Sequence, residues 1–345
     1  MKINGRNISI SDSPYIIAEM SANHNGNIDT AYKIIDMAKA CGADAVKMQT
    51  YTPDTITMDI KSPEFKIDGG LWDGRYLYDL YAEAYTPWSW HKPLFEYSKK
   101  IGITIFSSPF DNTAVDLLED LGVPAYKIAS CEAIDLPLIK YVAQTGKPMI
   151  ISTGMADVQE IQEAVEAARE GGCKELAILH CVSGYPAPAE DYNLRTLIDM
   201  RQKFGLVTGL SDHTIGNITA IASVALGASI IEKHVTLDRN GGGPDDSFSL
   251  EAKELEELCL NSKTAWESLG KIDYGIKSSE YNNIKFRRSL YCIKDIKKGE
   301  VITKDHIKSI RPGCGLAPKY LDKVLSSRAT CDIVRGTPIV LKFIS

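Results

Sequence analysis

The sequence predicts a (β/α)8 barrel, the TIM-barrel fold, followed by a small C-terminal domain. Eight short runs of β-branched and aliphatic residues recur along the first 270 residues, each followed by a segment with helical periodicity. Near-continuous apolar runs are typical of parallel strands that are buried on both faces. The length of 345 residues suits a barrel of about 250 residues with one appendage. A doubly wound open sheet is the alternative, but no G-x-G-x-x-G motif follows the first run.

The eight predicted strands follow one another along the chain. They are residues 15–20, 45–50, 104–109, 125–130, 148–154, 176–182, 207–213 and 229–235. Several helical segments between them begin with Asp or Asn and end in Gly, the residues that favour helix N-termini and C-termini. Residues 52–86 interrupt this order as a long insertion after the second strand. A long loop at that end of a barrel usually covers a substrate site.

A change of pattern after residue 270 predicts a second domain. We expect a catalytic barrel over residues 1–270, a polar linker over 271–285 and a small domain over 286–345. The last segment contains short strands, Lys-Gly and Arg-Gly turns and one short helix. A domain of about 60 residues buries too little apolar surface to be very stable alone.

The composition argues against several classes of partner. A formal net charge of −6 does not suit a nucleic-acid or anionic-membrane surface. The N-terminus lacks a signal-peptide pattern, and no run of about 18 apolar residues occurs. The eight cysteines are scattered without a C-x-x-C pair, as in reduced cytosolic proteins. We therefore expect a cytoplasmic protein with no nucleic-acid or membrane partner.

Polar side chains lie at the C-terminal end of every predicted strand, where barrel enzymes carry their active sites. In strand order they are Glu19; Lys47 and Gln49; Ser107 and Ser108; Lys127, Ser130 and Glu132; Ser152 and Thr153; His180, Ser183 and Tyr185; Ser211, Asp212 and His213; Glu232, Lys233 and His234. Residues with purely structural roles would be scattered over both ends of the strands. The pattern therefore predicts one shared site.

Two histidines end neighbouring predicted strands. The side chains of His213 and His234 could converge on a divalent cation, Mn²⁺ foremost, with Mg²⁺ or Co²⁺ as alternatives, acting as a Lewis acid. Two hydrogen-bonded barrel histidines without a metal are the structural alternative. Of the other histidines, His24 is expected to organise a loop, and His91 and His306 are expected to lie at the surface.

Two lysines lie within otherwise apolar predicted strands, where an unpaired ammonium group is costly. Lys47 and Lys127 therefore require an anionic partner, and a bound phosphate or carboxylate would supply it. A Schiff-base lysine of a class I aldolase is a second functional interpretation. Pairing with Glu19 or Glu232 is the structural alternative.

The loop after the eighth strand reads DRNGGGPDDSFSL. Its glycines permit a close backbone approach, and Asp245 could accept hydrogen bonds from sugar hydroxyl or amide groups. A solvated loop tip would have the same composition.

A series of motifs resembles the sialic acid synthase family. They are AEMSANHNG, KMQT, FSSPFD, YKIASCE, STGM, GLSDHT, IEKH and GGPD, followed in the tail by RRS and SIRPG. The resemblance covers essentially the whole chain in order, and the tail resembles the family's antifreeze-like (SAF) domain. It implies a metal-dependent condensation of phosphoenolpyruvate with an N-acetylated amino sugar. It also implies a domain-swapped homodimer, in which Arg311 of one subunit contacts the sugar site of the other.

The same resemblance implies roles for individual residues. His213 and His234 match the family's metal-binding histidines, and Glu19 matches an acidic residue near the metal that is a candidate base. The positions that match contacts to the phosphate of phosphoenolpyruvate are Lys47, Ser108 and Lys127. Those that match contacts to its carboxylate are Ser130, Ser152 and Ser211. Those that match the lining of the sugar pocket are Gln49, Glu132, Tyr185 and Asp245.

Three further segments resemble the pseudaminic acid synthase branch of the family: GGLWDGRYLYDLY, YTPWSWHKPLF and FRRSLY. This branch implies 2,4-diacetamido-2,4,6-trideoxy-altropyranose as the acceptor, with pseudaminic acid and phosphate formed by C–O cleavage. Trp72, Tyr76 and Tyr78 could offer apolar surface to the added methyl groups, or could merely attach the insertion to the barrel. An N-acetylneuraminate or legionaminate synthase with the same mechanism is the alternative.

Two interpretations from other classes compete with a synthase. A metal-dependent TIM-barrel hydrolase would usually have more metal-ligating histidines and carboxylates, and it would leave the buried lysines without a role. A sugar- or ice-binding module on an inert scaffold would not require the polar strand ends. Loss of phosphate release on chelation would distinguish metal-assisted condensation from the imine route.

Overall fold

The computed structural model describes residues 1–345. They form two compact units, Met1–Gly270 and Lys271–Ser345. Unit 1 is a closed barrel of eight parallel strands, which confirms the predicted (β/α)8 fold. A short antiparallel hairpin precedes it, formed by β1 (Lys2–Ile3) and β2 (Arg6–Asn7). The barrel strands are β3 (Tyr15–Glu19), β4 (Ala45–Thr50), β5 (Thr104–Pro109), β6 (Tyr126–Ile128), β7 (Met149–Ser152), β8 (Leu176–Cys181), β9 (Val207–Ser211) and β10 (Ile230–His234). Strand β10 pairs with β3 and closes the barrel.

Helices cover the outside of the barrel. They are α1 (Ile28–Cys41), α4 (Trp88–Ile101), α5 (Asn112–Asp120), α6 (Leu136–Ala143), α7 (Val158–Glu170), α8 (Thr196–Phe204), α9 (Ile218–Ala225) and α10 (Ala252–Leu269). Their ends follow the predicted signals. The Asn27 side chain accepts a hydrogen bond from the first turn of α1, and Gly42 ends that helix with a φ of 89°.

The insertion after β4 has its own short elements. It contains α2 (Pro53–Ile56), a 3-10 helix (Pro63–Phe65) and α3 (Leu77–Ala84). An isolated bridge joins Lys66 to Tyr76 and folds the segment between them into a loop. The loop includes Trp72, so this residue lies at the tip of the insertion.

Unit 2 has a small core of its own. Its strands β11 (Ser289–Cys292) and β12 (Ile307–Ile310) pair antiparallel, and α11 (Leu321–Leu325) follows them. Leu290, Ile302 and Ile339 are fully buried among its apolar side chains. The segment expected to be a linker belongs to this unit and contains a 3-10 helix, Ser278–Phe286. No helix of either unit is both long enough and apolar enough to span a membrane.

Candidate functional site

The C-terminal ends of the barrel strands bring titratable side chains together inside the barrel. In the strand register, Glu19 on β3 is opposite Lys47 on β4 and opposite His234 on β10. Gln49 on β4 is opposite Ser108 on β5. Side chains at paired positions of neighbouring strands lie on the same face of a sheet. The register therefore places these residues around a common interior.

Four titratable residues at the ends of β3, β4, β6 and β10 form a buried charge cluster, which consists of Glu19, Lys47, Lys127 and Glu232. Lys47 Nζ lies 2.7 Å from Glu19 Oε2 and 3.8 Å from Glu232 Oε1, and Lys127 Nζ lies 3.8 Å from the same Glu232 oxygen. None of the four side chains is more than 6% exposed. The lysines therefore pair with Glu19 and Glu232, the alternative that the sequence left open. The two basic groups thus lie against the two acidic groups, and all four are buried from solvent.

Burial also changes the proton affinities within the charge cluster. It raises the pKa of Glu19 to about 7, with the nearby Glu232 acting in the same direction and Lys47 opposing it. Burial lowers the pKa of Lys127, which donates its one intramolecular hydrogen bond, of 3.1 Å, to the Ile128 carbonyl. Both shifts arise because the charged forms lose their hydration. Lys127 therefore retains donor capacity for an anion.

Serine hydroxyl groups at this end of the barrel contact Lys47, Glu232 and the backbone of Gly154. Ser108 Oγ accepts a hydrogen bond of 3.3 Å from Lys47, and Ser211 Oγ donates one of 3.3 Å to Glu232. Ser130 Oγ accepts from the backbone N–H of Gly154 at 3.1 Å. A Cβ at Gly154 would lie 2.3 Å from Ser183 Oγ and 2.8 Å from Ser130 Oγ. Glycine at this position allows the two serines to approach the backbone closely.

Several buried polar atoms at these strand ends have no partner within the chain. They are Glu132 Oε2, Ser152 Oγ, Ser183 Oγ, Glu232 Oε2 and His234 Nδ1. Each buried polar group without a hydrogen bond costs about 1–3 kcal/mol. Such groups are rare in folded proteins and indicate a functional role when they are grouped. These five lie in the last residues of β7 and β10 or just after β6 and β8, so they indicate a polar ligand site at this end of the barrel.

The two histidines of the predicted metal site lie side by side. The ring centroids of His213 and His234 are 5.4 Å apart. His213 Nδ1 lies 2.7 Å from the Val182 carbonyl, which favours a proton on Nδ1 and leaves the Nε2 lone pair available. Burial, with His213 acting in the same direction, holds the pKa of His234 well below its usual range, so this imidazole is neutral. Burial acts to lower the pKa of His213 as well, but the contacts with Cys181 and the Val182 carbonyl outweigh it and raise this pKa. The neutral imidazole of His234 suits a divalent cation, and His213 would suit one in its neutral form.

A carboxylate lies near the histidine pair, but it does not form a three-residue metal-ligand cluster with the two imidazoles. Asp245 Oδ2 is 3.8 Å from His234 Nδ1. No cluster of three or more His, Cys, Asp or Glu side chains with metal-ligand geometry forms in the structure. A cation held by the two histidines would therefore complete its coordination with water or substrate oxygens.

A hydrogen-bonded chain joins the first strand to the loop after the last. Gln49 Nε2 donates to Glu19 Oε1 at 3.2 Å and to Ser21 Oγ at 3.0 Å. Ser21 Oγ in turn donates to Asp245 Oδ2 at 2.6 Å. The chain fixes two predicted sugar-pocket residues, Gln49 and Asp245. A third predicted sugar-pocket residue, Glu132, is half-buried, and the loss of hydration around its carboxyl group raises its pKa to about 7, with Lys127 opposing the shift.

Aromatic rings cover the histidine pair. The ring of Tyr185 lies 4.3 Å from that of His213, and Phe248 lies 5.0 Å from His234 and 5.4 Å from Tyr185. Trp72 extends this group, with its ring 5.5 Å from Tyr185. The site therefore has a charged interior and an aromatic outer wall.

Some residues at the strand ends do not belong to this site. Lys233 points out of the barrel and binds Asp212 Oδ2 at 2.9 Å. Ser107 bonds Thr50 Oγ1 and the Met48 carbonyl. Side chains alternate between the two faces of a strand, so neighbours of interior residues face the helices. The expectation of a site residue at these two positions was wrong.

Two of the histidines expected at the surface are buried. His91 is fully buried and bonds Thr50 Oγ1 at 2.8 Å, and His306 is 7% exposed within unit 2. His91 lies on the face of α4 that packs against the barrel, and the residues around it in sequence did not indicate this. His24 bonds Thr86 Oγ1 at 3.1 Å and thus connects its loop to the end of the insertion.

Arg311 lies in unit 2, directly after β12, and is exposed. Its predicted contact with the sugar site of a second subunit stays a prediction. Three residues of the barrel site were not predicted from the sequence. Ser21 has a φ of 45°, Phe248 lies in the loop after β10, and Cys181 Sγ is 3.9 Å from His213 Nδ1.

Comparison with known proteins agrees with this architecture. The model of the NeuB family matches residues 34–274, and that of the SAF domain matches residues 287–344. The chain is 42% identical over 327 residues to the pseudaminic acid synthase of Helicobacter pylori, covering 94% of this chain and 96% of that protein. It is 38% identical over 319 residues to the N,N'-diacetyllegionaminic acid synthase of Campylobacter jejuni, covering 91% and 95%.

A solved structure supports the same assignment. The N-acetylneuraminic acid (sialic acid) synthetase of Leptospira borgpetersenii, determined in complex with citrate, superimposes with a TM-score of 0.73 at 31% identity. The match covers 83% of this chain and 95% of that one. On these matches, the chain belongs to the NeuB family, the sialic acid synthases, and carries a SAF domain at its C-terminus.

Proposed function

We propose that the chain is a pseudaminic acid synthase. It would condense phosphoenolpyruvate with 2,4-diacetamido-2,4,6-trideoxy-altropyranose in the presence of a divalent cation, Mn²⁺ foremost, and release pseudaminic acid and phosphate. The observation that carries the proposal is the buried charge cluster beside the histidine pair, which offers anion-binding and aldehyde-activating groups at one end of the barrel. The higher identity to a pseudaminic than to a legionaminic acid synthase supports the choice of acceptor.

The phosphate of phosphoenolpyruvate would bind at Lys47, Lys127 and Ser108. Both lysines are buried, and Lys127 makes its one intramolecular hydrogen bond to a backbone carbonyl. A charged hydrogen bond to phosphate is stronger in such a place than in water. The carboxylate would bind at Ser130, Ser152 and Ser211, of which Ser152 has an unpartnered hydroxyl.

The acceptor sugar would bind beside the histidines. His213 and His234 would hold the cation, which would polarise the aldehyde oxygen of the open-chain sugar. Gln49, Glu132, Tyr185 and Asp245 would contact the hydroxyl and amide groups of the sugar. Gln49 and Asp245 are held by Ser21, so their polar groups are oriented before the sugar arrives.

The reaction balances with these groups. Carbon 3 of phosphoenolpyruvate bonds to the aldehyde carbon, whose oxygen becomes a hydroxyl group. Water adds at carbon 2 and gives a proton to Glu19, whose raised pKa suits it to exchange protons near neutral pH. The hydroxyl group left at carbon 2 gives its proton to the departing phosphate as the bond between carbon 2 and the phosphate oxygen breaks, which leaves a keto group and inorganic phosphate. Glu19 passes the proton it took from water to the alkoxide formed from the aldehyde oxygen. Lys47 and Lys127 stabilise the charge on the departing phosphate.

We also propose that the enzyme acts as a domain-swapped homodimer. Unit 2 carries 16 Lys and Arg against 7 Asp and Glu, whereas unit 1 carries 23 against 38. Opposite net charges favour association between unit 2 of one subunit and the barrel of another. Arg311, which is exposed in unit 2, would contact the partner's sugar site.

The proposal is tested by measuring phosphate release from phosphoenolpyruvate in the presence of Mn²⁺ with different acceptor sugars. The product of each reaction is identified by mass spectrometry. Turnover with the altro diacetamido sugar and not with N-acetylmannosamine is the expected result. Turnover with N-acetylmannosamine or the legionaminic acid precursor instead would assign another member of the family. Phosphate release without an acceptor would favour the hydrolase. Turnover that survives chelation and is trapped by borohydride would favour the imine route.

A further inference from the structure

One residue connects the insertion to the candidate site. The Trp72 indole N–H donates a hydrogen bond of 2.9 Å to the carbonyl of Pro244, and its ring lies 5.5 Å from Tyr185. Pro244 directly precedes Asp245, whose carboxylate faces the interior. Trp72 is half-buried, so its indole is not fully covered by the contacts with Pro244 and Tyr185. The insertion thus covers the loop that carries Asp245.

Tyr76 and Tyr78, the other two aromatic residues that the sequence suggested for this role, make their contacts elsewhere. Tyr76 packs against Lys61, whose Nζ lies 4.9 Å from the ring centroid. The Tyr78 hydroxyl donates to Asp54 Oδ1 at 3.2 Å within the insertion itself. The apolar surface expected from three aromatic residues therefore comes from Trp72 alone.

The position of Trp72 limits which part of an acceptor it can contact. Tyr185 packs directly on His213, and Trp72 packs on Tyr185 from the side of the insertion. An acceptor with its aldehyde at the histidine pair would pass Tyr185 before its far end meets the indole. Gln49 and Asp245 are joined through Ser21, where their polar groups would meet hydroxyl and amide groups of the acceptor.

We infer that Trp72 is a specificity-determining residue, whose indole forms the apolar end of the acceptor pocket and selects sugars with a methyl group there. This inference rests on the proposed function and names the part of the acceptor that is recognised. One methyl group in an apolar pocket changes kcat/KM by about 10- to 200-fold. Trp72 would therefore favour a 6-deoxy acceptor over the same sugar with a hydroxymethyl group by a factor in this range.

The test compares kcat/KM for two acceptors, the 2,4-diacetamido-2,4,6-trideoxy sugar and its 6-hydroxy analogue. Trp72→Ala should lower kcat/KM for the deoxy sugar by at least about 10-fold and bring the ratio between the two acceptors close to one. The KM for phosphoenolpyruvate should stay within about 2-fold, because Trp72 does not contact the lysines. Tyr76→Ala is the matched control, since it removes an aromatic ring from the same insertion and should preserve the ratio.

A second variant separates the ring from its hydrogen bond. Trp72→Phe keeps an aromatic surface but cannot donate to Pro244, and it should retain most of the selectivity. If it loses selectivity as fully as Trp72→Ala, the hydrogen bond and not the apolar surface is responsible, and the inference is wrong. An equal loss for both acceptors with Trp72→Ala would also overturn it. If the wild-type enzyme uses neither acceptor, the proposed function itself fails.

Discussion

Replacing Lys127 by methionine tests the charge cluster and the phosphate site together. Lys127 Nζ lies 3.8 Å from Glu232 Oε1, and their side chains are 2% and 6% exposed. Methionine has a similar length but no charge, so Glu232 would retain Lys47 as its remaining lysine partner, also at 3.8 Å. We expect a lower thermal stability and a higher KM for phosphoenolpyruvate.

The size of the stability loss follows from the burial of the pair. Removing one partner of a buried ion pair costs about 3–5 kcal/mol, because the remaining charge has no water to solvate it. Since Lys47 still neutralises part of the charge, we expect the lower end, about 3 kcal/mol. In a domain of this size about 1 kcal/mol lowers the unfolding midpoint by roughly 2–4 °C. Calorimetry should therefore show a decrease of about 6–12 °C.

The double variant Lys127→Met/Glu232→Gln distinguishes stability from binding. It removes both charges, so most of the lost stability should return. The KM for phosphoenolpyruvate should stay raised by at least about 10-fold, because a hydrogen bond to a charged group contributes about 1.5–3 kcal/mol. If the double variant is no more stable than the single one, Glu232 is not the counter-ion of Lys127. If the single variant binds phosphoenolpyruvate like the wild type, Lys127 does not hold the phosphate.

Three further predictions concern other parts of the barrel. Chelation should abolish phosphate release, and added Mn²⁺ should restore it. In a titration of the rate with Mn²⁺, the His234→Ala variant should require at least about 10-fold more Mn²⁺ than the wild type for the same rate. Gly154→Ala should raise the KM for phosphoenolpyruvate by at least about 10-fold, because its Cβ would displace Ser130 and Ser183; an unchanged KM would remove these serines from the site. Burial lowers the pKa of His91 to about 4, so its contribution to stability is complete above pH 6.5 and is lost as the pH falls towards 4. At pH 5 the free energy of unfolding should be lower by about 2 kcal/mol for this reason. The urea midpoint of the wild type should therefore fall between pH 7.5 and pH 5, and that of His91→Gln should fall less. An equal fall in both proteins would show that His91 does not titrate as argued.

The positions of the barrel strands could be predicted closely from the sequence. All eight runs became strands, because parallel strands buried on both faces require continuous apolar residues. The predicted ends were too long at some strands, such as 125–130, where the structure has Tyr126–Ile128. The polar residues that follow Ile128 leave the hydrogen-bonded ladder to form a 3-10 helix.

Long-range contacts could not be predicted in the same way. Ser21 and Asp245 are 224 residues apart in sequence, and no local pattern joins them. The insertion contains several aromatic residues, and composition does not indicate that Trp72 faces the site while Tyr76 and Tyr78 do not. Which residue turns inward depends on the bridge between Lys66 and Tyr76, a feature of the folded loop.

The three consecutive residues Glu232, Lys233 and His234 show how strand geometry divides structural from chemical roles. The first and third face the barrel interior, while Lys233 faces the helices and donates to Asp212 and to the carbonyls of Thr214 and Gly216. These contacts lie on both sides of His213 in sequence. Lys233 therefore holds the backbone that carries one histidine of the pair, while its own strand carries the other. A residue that faces the helices thus helps to position the two imidazoles, which gives a buried lysine a structural role at this strand position.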